Sequence, residues 1–182
     1  MPPLARAIAA LHATAAVRHD RTGVGVMRWV VGGNAAGFAN EGRLILDAAQ
    51  ATRVVTASQL AIARHASLLD ARAAAGCIRE CHGDLHLRNI VLLDGKPVPF
   101  DAIEFSDRIA NIDVLYDLSF ALMDLCERRR RPLANRLLNE WLWRIGELPG
   151  APHETALAQA NATLGTEAFG YAARTYQGRT AA

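Results

Sequence analysis

Residues 81–90 read Cys81-His82-Gly83-Asp84-Leu85-His86-Leu87-Arg88-Asn89-Ile90, a polar loop that runs into a short apolar segment. The apolar segment, 90–93, is followed by Asp94-Gly95, a dipeptide typical of a two-residue hairpin turn. A second short strand is predicted at 98–100, and Pro97 and Pro99 restrict it to the edge of a sheet or to weak pairing, because proline cannot donate a backbone hydrogen bond. The sequence therefore predicts a polar loop that leads into a small β-hairpin.

Three oxygen-bearing side chains flank this hairpin. Asp84 and Asn89 lie five residues apart on the loop, and Asp101 follows the returning strand. Antiparallel pairing over so short a hairpin brings Asn89 and Asp101 close together. An amide oxygen and a carboxylate, with positions left for water and phosphate oxygens, suit Mg²⁺. Asp84 is then placed to orient a hydroxyl group and to accept its proton as the hydroxyl attacks phosphorus.

The pattern His82-Gly83-Asp84-x-x-x-x-Asn89, together with Asp101-x-x-Glu104, resembles the catalytic loop and metal motif of aminoglycoside phosphotransferases. Choline- and homoserine-type kinases are related to these enzymes, and all are relatives of the protein kinases. The resemblance implies ATP as phosphoryl donor, Mg²⁺ as cofactor and a small-molecule hydroxyl as acceptor. It covers residues 1 to about 145 and is greatest to an uncharacterised bacterial branch whose members are sometimes fused to a P-loop ATPase domain.

The resemblance also implies a role for individual residues. Asp84 is expected to be the catalytic base, and Asn89 and Asp101 are expected to be Mg²⁺ ligands. Glu104 is expected either to make secondary metal or water contacts or to be an ordinary solvated carboxylate. No nucleotide-binding residue is assigned.

Two further residues are expected to support the loop rather than to perform chemistry. His82 is expected to hold the loop by hydrogen bonding. Asp117, in Asp117-Leu118-Ser119, corresponds to the family's Asp-Leu-Ala, in which the aspartate braces the backbone of the catalytic loop. The opening segment from Leu4 to His12 is similar to the first helix of the family's C-terminal lobe.

The remainder of the chain is predicted to be mainly helical. A first helix is indicated by an apolar stripe at helical spacing, and a Gly-rich loop is predicted over 20–40. A helix is predicted near 41–49, and another from Thr56, where Gln59 completes capping-box spacing, to about Ala75 before Gly76. The stripe consists of Leu4, Ile8, Leu11 and Ala15.

Two helices are predicted after the hairpin. Asn111 is a candidate N-cap for an apolar stripe that runs from Ile112 to Leu125. Pro132 occupies a first-turn position of a helix that continues to Ile145. Residues 146–182 show little periodicity and are expected to form a divergent or poorly ordered tail.

These features predict an α+β, mainly helical fold that is equivalent to the C-terminal lobe of a protein-kinase-like fold, at residues 1–145, with loop 81–90 and metal motif 100–105. The N-terminal lobe is expected to be absent, since Lys96 is the only lysine and lies inside the hairpin. The chain is therefore interpreted as a truncated or incomplete phosphotransferase that a missing N-terminal lobe or a fused P-loop domain would complete. The alternative is an inactive pseudo-kinase that serves as an interaction module.

Composition excludes several other classes of protein. A formal charge of +2 argues against nucleic acid as a partner, and the Arg128–Arg131 run is interpreted as a solvated helix end. No apolar stretch approaches membrane-spanning length. Three cysteines without a secretory start indicate a reducing compartment, and a cytoplasmic location is expected.

Two metal-binding alternatives receive less support. Cys77, Cys81, His82 and His86 contain zinc-ligating residue types, but their spacing departs from that of usual zinc pairs. A metallohydrolase interpretation of residues 82–86 leaves Asn89 and the later aspartate unexplained. The acidic residues near the motif are compatible with a cationic acceptor, but they do not identify the substrate.

Overall fold

The computed structural model describes residues 1–40 and 47–145, and the tail predicted at 146–182 lies outside these ranges. The described part is mainly helical, with two small antiparallel sheets. In chain order its elements are α1 (Pro2–Thr14), α2 (Gly23–Asn40), α3 (Ala48–Arg64), α4 (Ala66–Ala74), β1 (Ile78–Glu80), a 3₁₀ turn (Leu87–Asn89), β2 (Ile90–Leu93), β3 (Lys96–Pro99), α5 (Asp107–Ala110), β4 (Asn111–Asp113), α6 (Val114–Glu127) and α7 (Arg131–Ile145).

The predicted hairpin is confirmed. Strands β2 and β3 pair antiparallel in the register Ile90 to Pro99 and Leu93 to Lys96. Asp94 and Gly95 both have positive φ, 51° and 74°, as the two central residues of a type I′ turn require. Each strand of this two-stranded sheet is an edge strand, so the prolines of β3 cost little hydrogen bonding.

A second sheet closes the other end of the 81–90 loop. Strand β1 pairs antiparallel with β4, with Glu80 opposite Asn111. The loop therefore starts from one two-stranded sheet and ends in another. Both of its ends are held by backbone pairing, which positions the polar side chains between them.

The main hydrophobic core lies among α1, α6, α7 and the first sheet. Helix α7 packs on both α1 and α6. Trp141, Leu137 and Leu118 are fully buried or nearly so, and the loop inserts Leu85, with no exposed surface, into the same core. Burying a leucine side chain stabilises a fold by about 1.5–3 kcal/mol, so Leu85 anchors the polar loop to the core.

Helices α2, α3 and α4 form a smaller apolar cluster that contains Val31, Ile62 and Leu69. Helix α4 is tied to the rest of the fold by Arg72, whose guanidinium donates two hydrogen bonds of 2.6 Å to the carboxylate of Asp113. Burial opposes the charged form of Arg72, but the Asp113 carboxylate outweighs it and raises the pKa of the guanidinium. Asp113 also accepts a hydrogen bond from Leu115 N and caps α6.

Two predictions about the first half of the chain are wrong. The Gly-rich segment predicted as a loop over 20–40 forms α2 from Gly23 onward. Three of its glycines, Gly32, Gly33 and Gly37, are solvent-exposed, and its apolar residues pack on α3 and α4. This packing outweighs the cost of about 1 kcal/mol per glycine within a helix.

Helix α3 begins at Ala48, so Thr56 lies within it rather than at its start. The capping box is made by Asp47 and Gln50, which have the same spacing as the predicted pair Thr56 and Gln59. Most of the helix predicted near 41–49 lies outside the described residues. The predicted stop at Gly76 is confirmed, since α4 ends at Ala74 and Gly76 has a φ of 75°.

The predicted cap of the helix after the hairpin is also wrong, whereas the last helix is confirmed. Asn111 belongs to β4, and Asp113 is the N-cap of α6. Helix α7 runs from Arg131 to Ile145 with Pro132 in its first turn, as predicted. Within 1–40 and 47–145, none of the helices combines the length and apolarity needed to cross a bilayer.

Candidate active site

The 81–90 loop is fixed by backbone hydrogen bonds to the segment that carries the metal motif. Cys81 N donates to Ala110 O over 2.8 Å, and Ile103 N donates to His82 O over 2.9 Å. At the other end, Phe100 N donates to Asn89 O over 3.0 Å. These bonds place residues 100–110 alongside the whole length of the loop.

Asp84 and Asn89 are in direct contact. The side-chain nitrogen of Asn89 donates to the backbone oxygen of Asp84 over 2.9 Å and to its Oδ2 over 3.0 Å. The Asn89 side chain is buried, whereas the Asp84 carboxylate is 28% exposed. Because the amide nitrogen is occupied by Asp84, the amide oxygen of Asn89 is the atom left for another ligand. Asp84 thus keeps an accessible carboxylate in a fixed orientation.

Asp101 and Glu104 are both solvent-exposed, beyond the end of β3. Within the described ranges, neither makes a hydrogen bond or ion pair with Asp84 or Asn89. The carboxylates of residues 84, 101 and 104 do not form a group whose ligand oxygens all lie within 4.8 Å of one another. The backbone pairing of Phe100 with Asn89 nevertheless places Asp101 one residue beyond the point at which the two segments join.

The backbone of Asp101 is strained. Its φ of 61° lies in the left-handed region, which costs on the order of 1–2 kcal/mol for most L-residues, although aspartate tolerates it better than most. Residues in such conformations are concentrated at active sites and ligand clamps. The strain therefore marks Asp101 as a functional candidate independently of any sequence motif.

The residues present fit a hard divalent cation. The amide oxygen of Asn89 and the exposed carboxylate of Asp101 are oxygen donors of the kind that Mg²⁺ binds together with water and phosphate oxygens. The carboxylate of Glu104 is exposed on the same segment. Mg²⁺ is usually bound by few protein ligands and keeps several water molecules in its coordination shell.

His82 and Asp117 contact the loop backbone. His82 Nε2 donates to Phe100 O over 2.8 Å and so links the loop to the segment after β3. Gly83 N donates to Asp117 Oδ1 over 2.8 Å. Gly83 has a φ of 80°, and a methyl group there would approach the side chain of Ile103 to 3.1 Å. Glycine is therefore required immediately before Asp84.

Asp117 belongs to a buried hydrogen-bonded chain that the sequence reasoning did not find. Trp141 Nε1 donates to His12 Nδ1 over 3.1 Å, and His12 Nε2 lies 2.9 Å from Asp117 Oδ2. Because an indole N–H can only donate, the imidazole proton of His12 lies on Nε2 and is donated to Asp117. The chain thus connects α7, α1 and α6 to the backbone of Gly83.

A second carboxylate on α6 holds the middle of the loop. Asp124 accepts hydrogen bonds from Leu87 N over 2.9 Å and from His86 Nδ1 over 3.1 Å. The other ring nitrogen of His86 lies 3.3 Å from Asp84 Oδ1, and its ring packs edge-on against Phe120. Asp124 therefore orients His86, which contacts the carboxylate of Asp84.

A sequence signal for Asp124 existed. Asp117 and Asp124 are seven residues apart, which is two turns of α6, so both lie on one face of a helix that is otherwise apolar. Two carboxylates on the buried face of an amphipathic helix require polar partners. The polar 81–90 loop was the candidate in the sequence to supply these partners.

The zinc alternative is not supported within the described residues. Cys77, Cys81, His82 and His86 do not form a metal-ligating group. Among residues 1–40 and 47–145, the one buried group of suitable residue types comprises His12, Cys81 and Asp117. Burial, with the neighbouring carboxylates, raises the pKa of the Cys81 thiol, which keeps it protonated, and both ring nitrogens of His12 are already hydrogen-bonded. This group is accounted for by packing and hydrogen bonding.

The fold and the site define a mainly helical α+β protein with a carboxylate–amide pair at the mouth of a hairpin. A family model described as APH, phosphotransferase enzyme family, matches residues 3–156. The chain belongs to this phosphotransferase family, whose members generally use ATP and Mg²⁺. The match confirms the resemblance of the 82–104 motifs to the phosphotransferase family.

Similar curated proteins come from mycobacteria. The uncharacterized protein Mb2027c of Mycobacterium bovis and the uncharacterized protein Rv2004c of Mycobacterium tuberculosis are each 36% identical to this chain over 72 residues. The match covers 40% of this chain and 14% of each relative. No solved structure matches the chain significantly.

Proposed function

We propose that this chain provides the catalytic lobe of an ATP- and Mg²⁺-dependent kinase that phosphorylates a hydroxyl group of a small molecule. The observation that carries the proposal is the contact between Asp84 and Asn89 on a loop anchored at Gly83, inside a chain that belongs to a phosphotransferase family. We propose that these elements correspond to the C-terminal lobe of a protein-kinase-like fold, as the family membership suggests.

Asp84 is the proposed catalytic base. The acceptor hydroxyl donates its proton to the Asp84 carboxylate while its oxygen forms a bond to the γ-phosphorus of ATP, and the bond from that phosphorus to the β-bridging oxygen breaks to release ADP. The hydrogen bond from Asn89 and the contact with His86 keep the carboxylate in one orientation. Positioning of this kind supplies much of the catalysis in phosphoryl transfer.

Asn89 and Asp101 are the proposed ligands of Mg²⁺, with Glu104 in a supporting position. When bound, the ion neutralises charge on the phosphate oxygens. The buried amide of Asn89 is held in place by Asp84, whereas Asp101 is exposed and carries backbone strain. Asn89 would therefore supply an amide oxygen held in place by the protein, and Asp101 would supply an exposed carboxylate.

Binding of the adenine and the phosphates is proposed to involve a second lobe. Apolar side chains on the hairpin are largely exposed: Leu92 is 69% exposed and Leu93 is 55% exposed. Exposed apolar clusters of this kind mark interaction surfaces. A nucleotide-binding lobe from the remainder of a longer protein, or from a separate chain, would cover this surface.

The test is calorimetric titration with Mg²⁺ and ATP, followed by ATP-consumption assays over a panel of hydroxylated metabolites, with this chain joined to a nucleotide-binding lobe. We expect Asp84→Asn to lower kcat by roughly 10²–10⁴-fold, the usual contribution of a general base. Asp94→Asn is the matched control, because it makes the same chemical change in the hairpin turn and Asn-Gly also favours a type I′ turn. An absence of heat with both ligands would favour the alternative, a non-catalytic interaction module.

A further inference from the structure

A cleft of about 320 Å³ lies between the start of α2 and α5. It is lined by Arg21, Thr22, Gly25, Val26, Trp29 and Arg108. The lining thus combines two guanidinium groups with an aromatic ring and a hydroxyl group. This cleft is separate from the residues so far assigned to catalysis and to the metal.

Both arginines lack an acidic partner within the described residues. Arg21 makes no ion pair there, and its Nε is buried without a hydrogen-bond acceptor. The guanidinium carbon of Arg108, an exposed residue, lies 5.9 Å from the centre of the Trp29 ring in a cation–π contact, and its N–H groups make no hydrogen bond to another residue within 1–40 or 47–145. A buried N–H without an acceptor destabilises the fold, so an acceptor from a ligand would be favourable.

The backbone amides of Val24 and Gly25, at the start of α2, are not free to donate hydrogen bonds to a ligand in the cleft. Val24 N donates to Asp70 Oδ1, and Gly25 N donates to Thr22 Oγ1, each over 3.0 Å. The positive character of the cleft therefore comes from the arginine side chains. Planar guanidinium groups bind phosphate and carboxylate oxygens through paired N–H donors, which a compact ammonium group cannot do.

The cleft adjoins the 81–90 loop through α5. Arg108 precedes Ile109, whose carbonyl oxygen would lie 3.4 Å from a methyl group placed on Gly83. The next carbonyl, that of Ala110, accepts the hydrogen bond from Cys81 N. Helix α5 therefore contacts the loop directly before Asp84 and also carries one of the cleft arginines.

We infer that this cleft binds the acceptor substrate and that the acceptor carries an oxyanion, a phosphate or carboxylate group, in addition to its hydroxyl. The inference rests on the proposed function for the identity of the reaction. Arg21 and Arg108 hold the oxyanion, Trp29 covers the carbon skeleton, and the hydroxyl extends toward Asp84. The arginines thus favour an acidic acceptor over the cationic acceptor with which the acidic residues near the metal motif are compatible.

Binding is tested on the full chain by isothermal titration calorimetry with inorganic phosphate, glycerate and glycerol 3-phosphate. Glycerol is the neutral control compound, and ethanolamine is the cationic control compound. We expect heat of binding from at least one oxyanion and none from the two control compounds. Arg21→Gln and Arg108→Gln should each weaken that binding about tenfold, the effect of removing a charge-assisted hydrogen bond.

Arg136→Gln is the matched control, because Arg136 is an exposed arginine on α7, away from the cleft, and its loss should leave binding unchanged. The inference is overturned if none of the three oxyanions binds. It is equally overturned if both cleft variants bind as tightly as the unmodified chain.

The same variants separate this inference from the proposed function. If oxyanion binding depends on the arginines but no acceptor supports ATP consumption when the nucleotide-binding lobe is present, the cleft proposal stands and the proposed kinase activity is rejected. The opposite result is ATP consumption that requires Asp84 but is unaffected by Arg21→Gln and Arg108→Gln for every acceptor. That result would support the proposed kinase function and reject acceptor binding in the cleft.

Discussion

At the scale of the residue, the polar groups that support the 81–90 loop come from α6 rather than from the loop itself. Asp117 accepts from Gly83 N, and Asp124 accepts from Leu87 N, so two carboxylates two helical turns apart bind backbone groups on either side of Asp84. A hydrogen bond to a charged acceptor contributes about 1.5–3 kcal/mol. Such bonds define the loop conformation more strongly than turn propensity does.

Asp124→Ala should therefore loosen the loop locally. We expect the Leu87 amide to exchange with solvent at least about tenfold faster, since it loses a charged acceptor worth more than about 1.4 kcal/mol. Hydrogen exchange followed by NMR measures this effect without any assay of activity. Glu127→Ala, at an exposed position on the same helix, is the control. Unchanged protection of Leu87 in Asp124→Ala would refute the supporting role.

The residues of the loop motif could be identified from sequence, and their burial and partners could not. The spacing of Asp84, Asn89 and Asp101 identifies the motif in the sequence. In the structure, Asp84 and Asn89 are in contact. The partnership of His12 with Trp141 spans 129 positions, and no local pattern encodes so distant a contact. The metal roles of Asn89, Asp101 and Glu104 stay predictions.

At the scale of the element, packing overrode local propensity in the first half of the chain. Helix α2 contains glycines that local rules assign to loops, yet one of its faces packs on α3 and α4. Gly23 itself is needed because a methyl group at that position would collide with the backbone of Leu69. The hairpin and α7 were predictable because their signals, Asp94-Gly95 and Pro132, act within a few residues.

Helix α3 offers a test of which residue caps it. Asp47→Ala should lower the free energy of unfolding by about 1 kcal/mol, because Asp47 accepts from Gln50 N over 2.7 Å. Thr56→Ala, at an exposed position inside the same helix, should change it by less than about 0.5 kcal/mol. Urea denaturation of the full chain measures both values. A larger loss in Thr56→Ala than in Asp47→Ala would contradict the observed start of the helix.

At the scale of the whole molecule, the stability of the fold depends on keeping its thiols protonated. The three cysteines are free, and burial raises the pKa of each above its usual value, most strongly for Cys81. Below the ordinary thiol pKa of about 8.5, folded and unfolded chains both hold these protons. Above it the unfolded chain ionises first, so stability decreases as pH rises.

We expect the unfolding free energy to fall between about pH 9 and 10.5, with Cys81 contributing up to about 1.4 kcal/mol per pH unit. Cys81→Ala should therefore flatten the pH dependence relative to Cys126→Ala, because Cys126 is only partly buried. Urea titrations at several pH values measure the two slopes. Equal slopes in the two variants would show that folding raises the pKa of Cys81 no more than that of Cys126.

The hydrogen-bonded path from Trp141 to Gly83 also determines where the protein can be divided. Helix α7 follows the loop in sequence by more than forty residues, yet the two are connected by hydrogen bonds. Trp141 on α7 fixes the tautomer of His12, and His12 orients Asp117, which accepts from the backbone of Gly83. Any shortened version prepared for crystallisation must retain the polypeptide through Ile145. A cut after α6 would remove the hydrogen bond from Trp141 to His12, and with it part of the support of Asp117 and of the loop at Gly83.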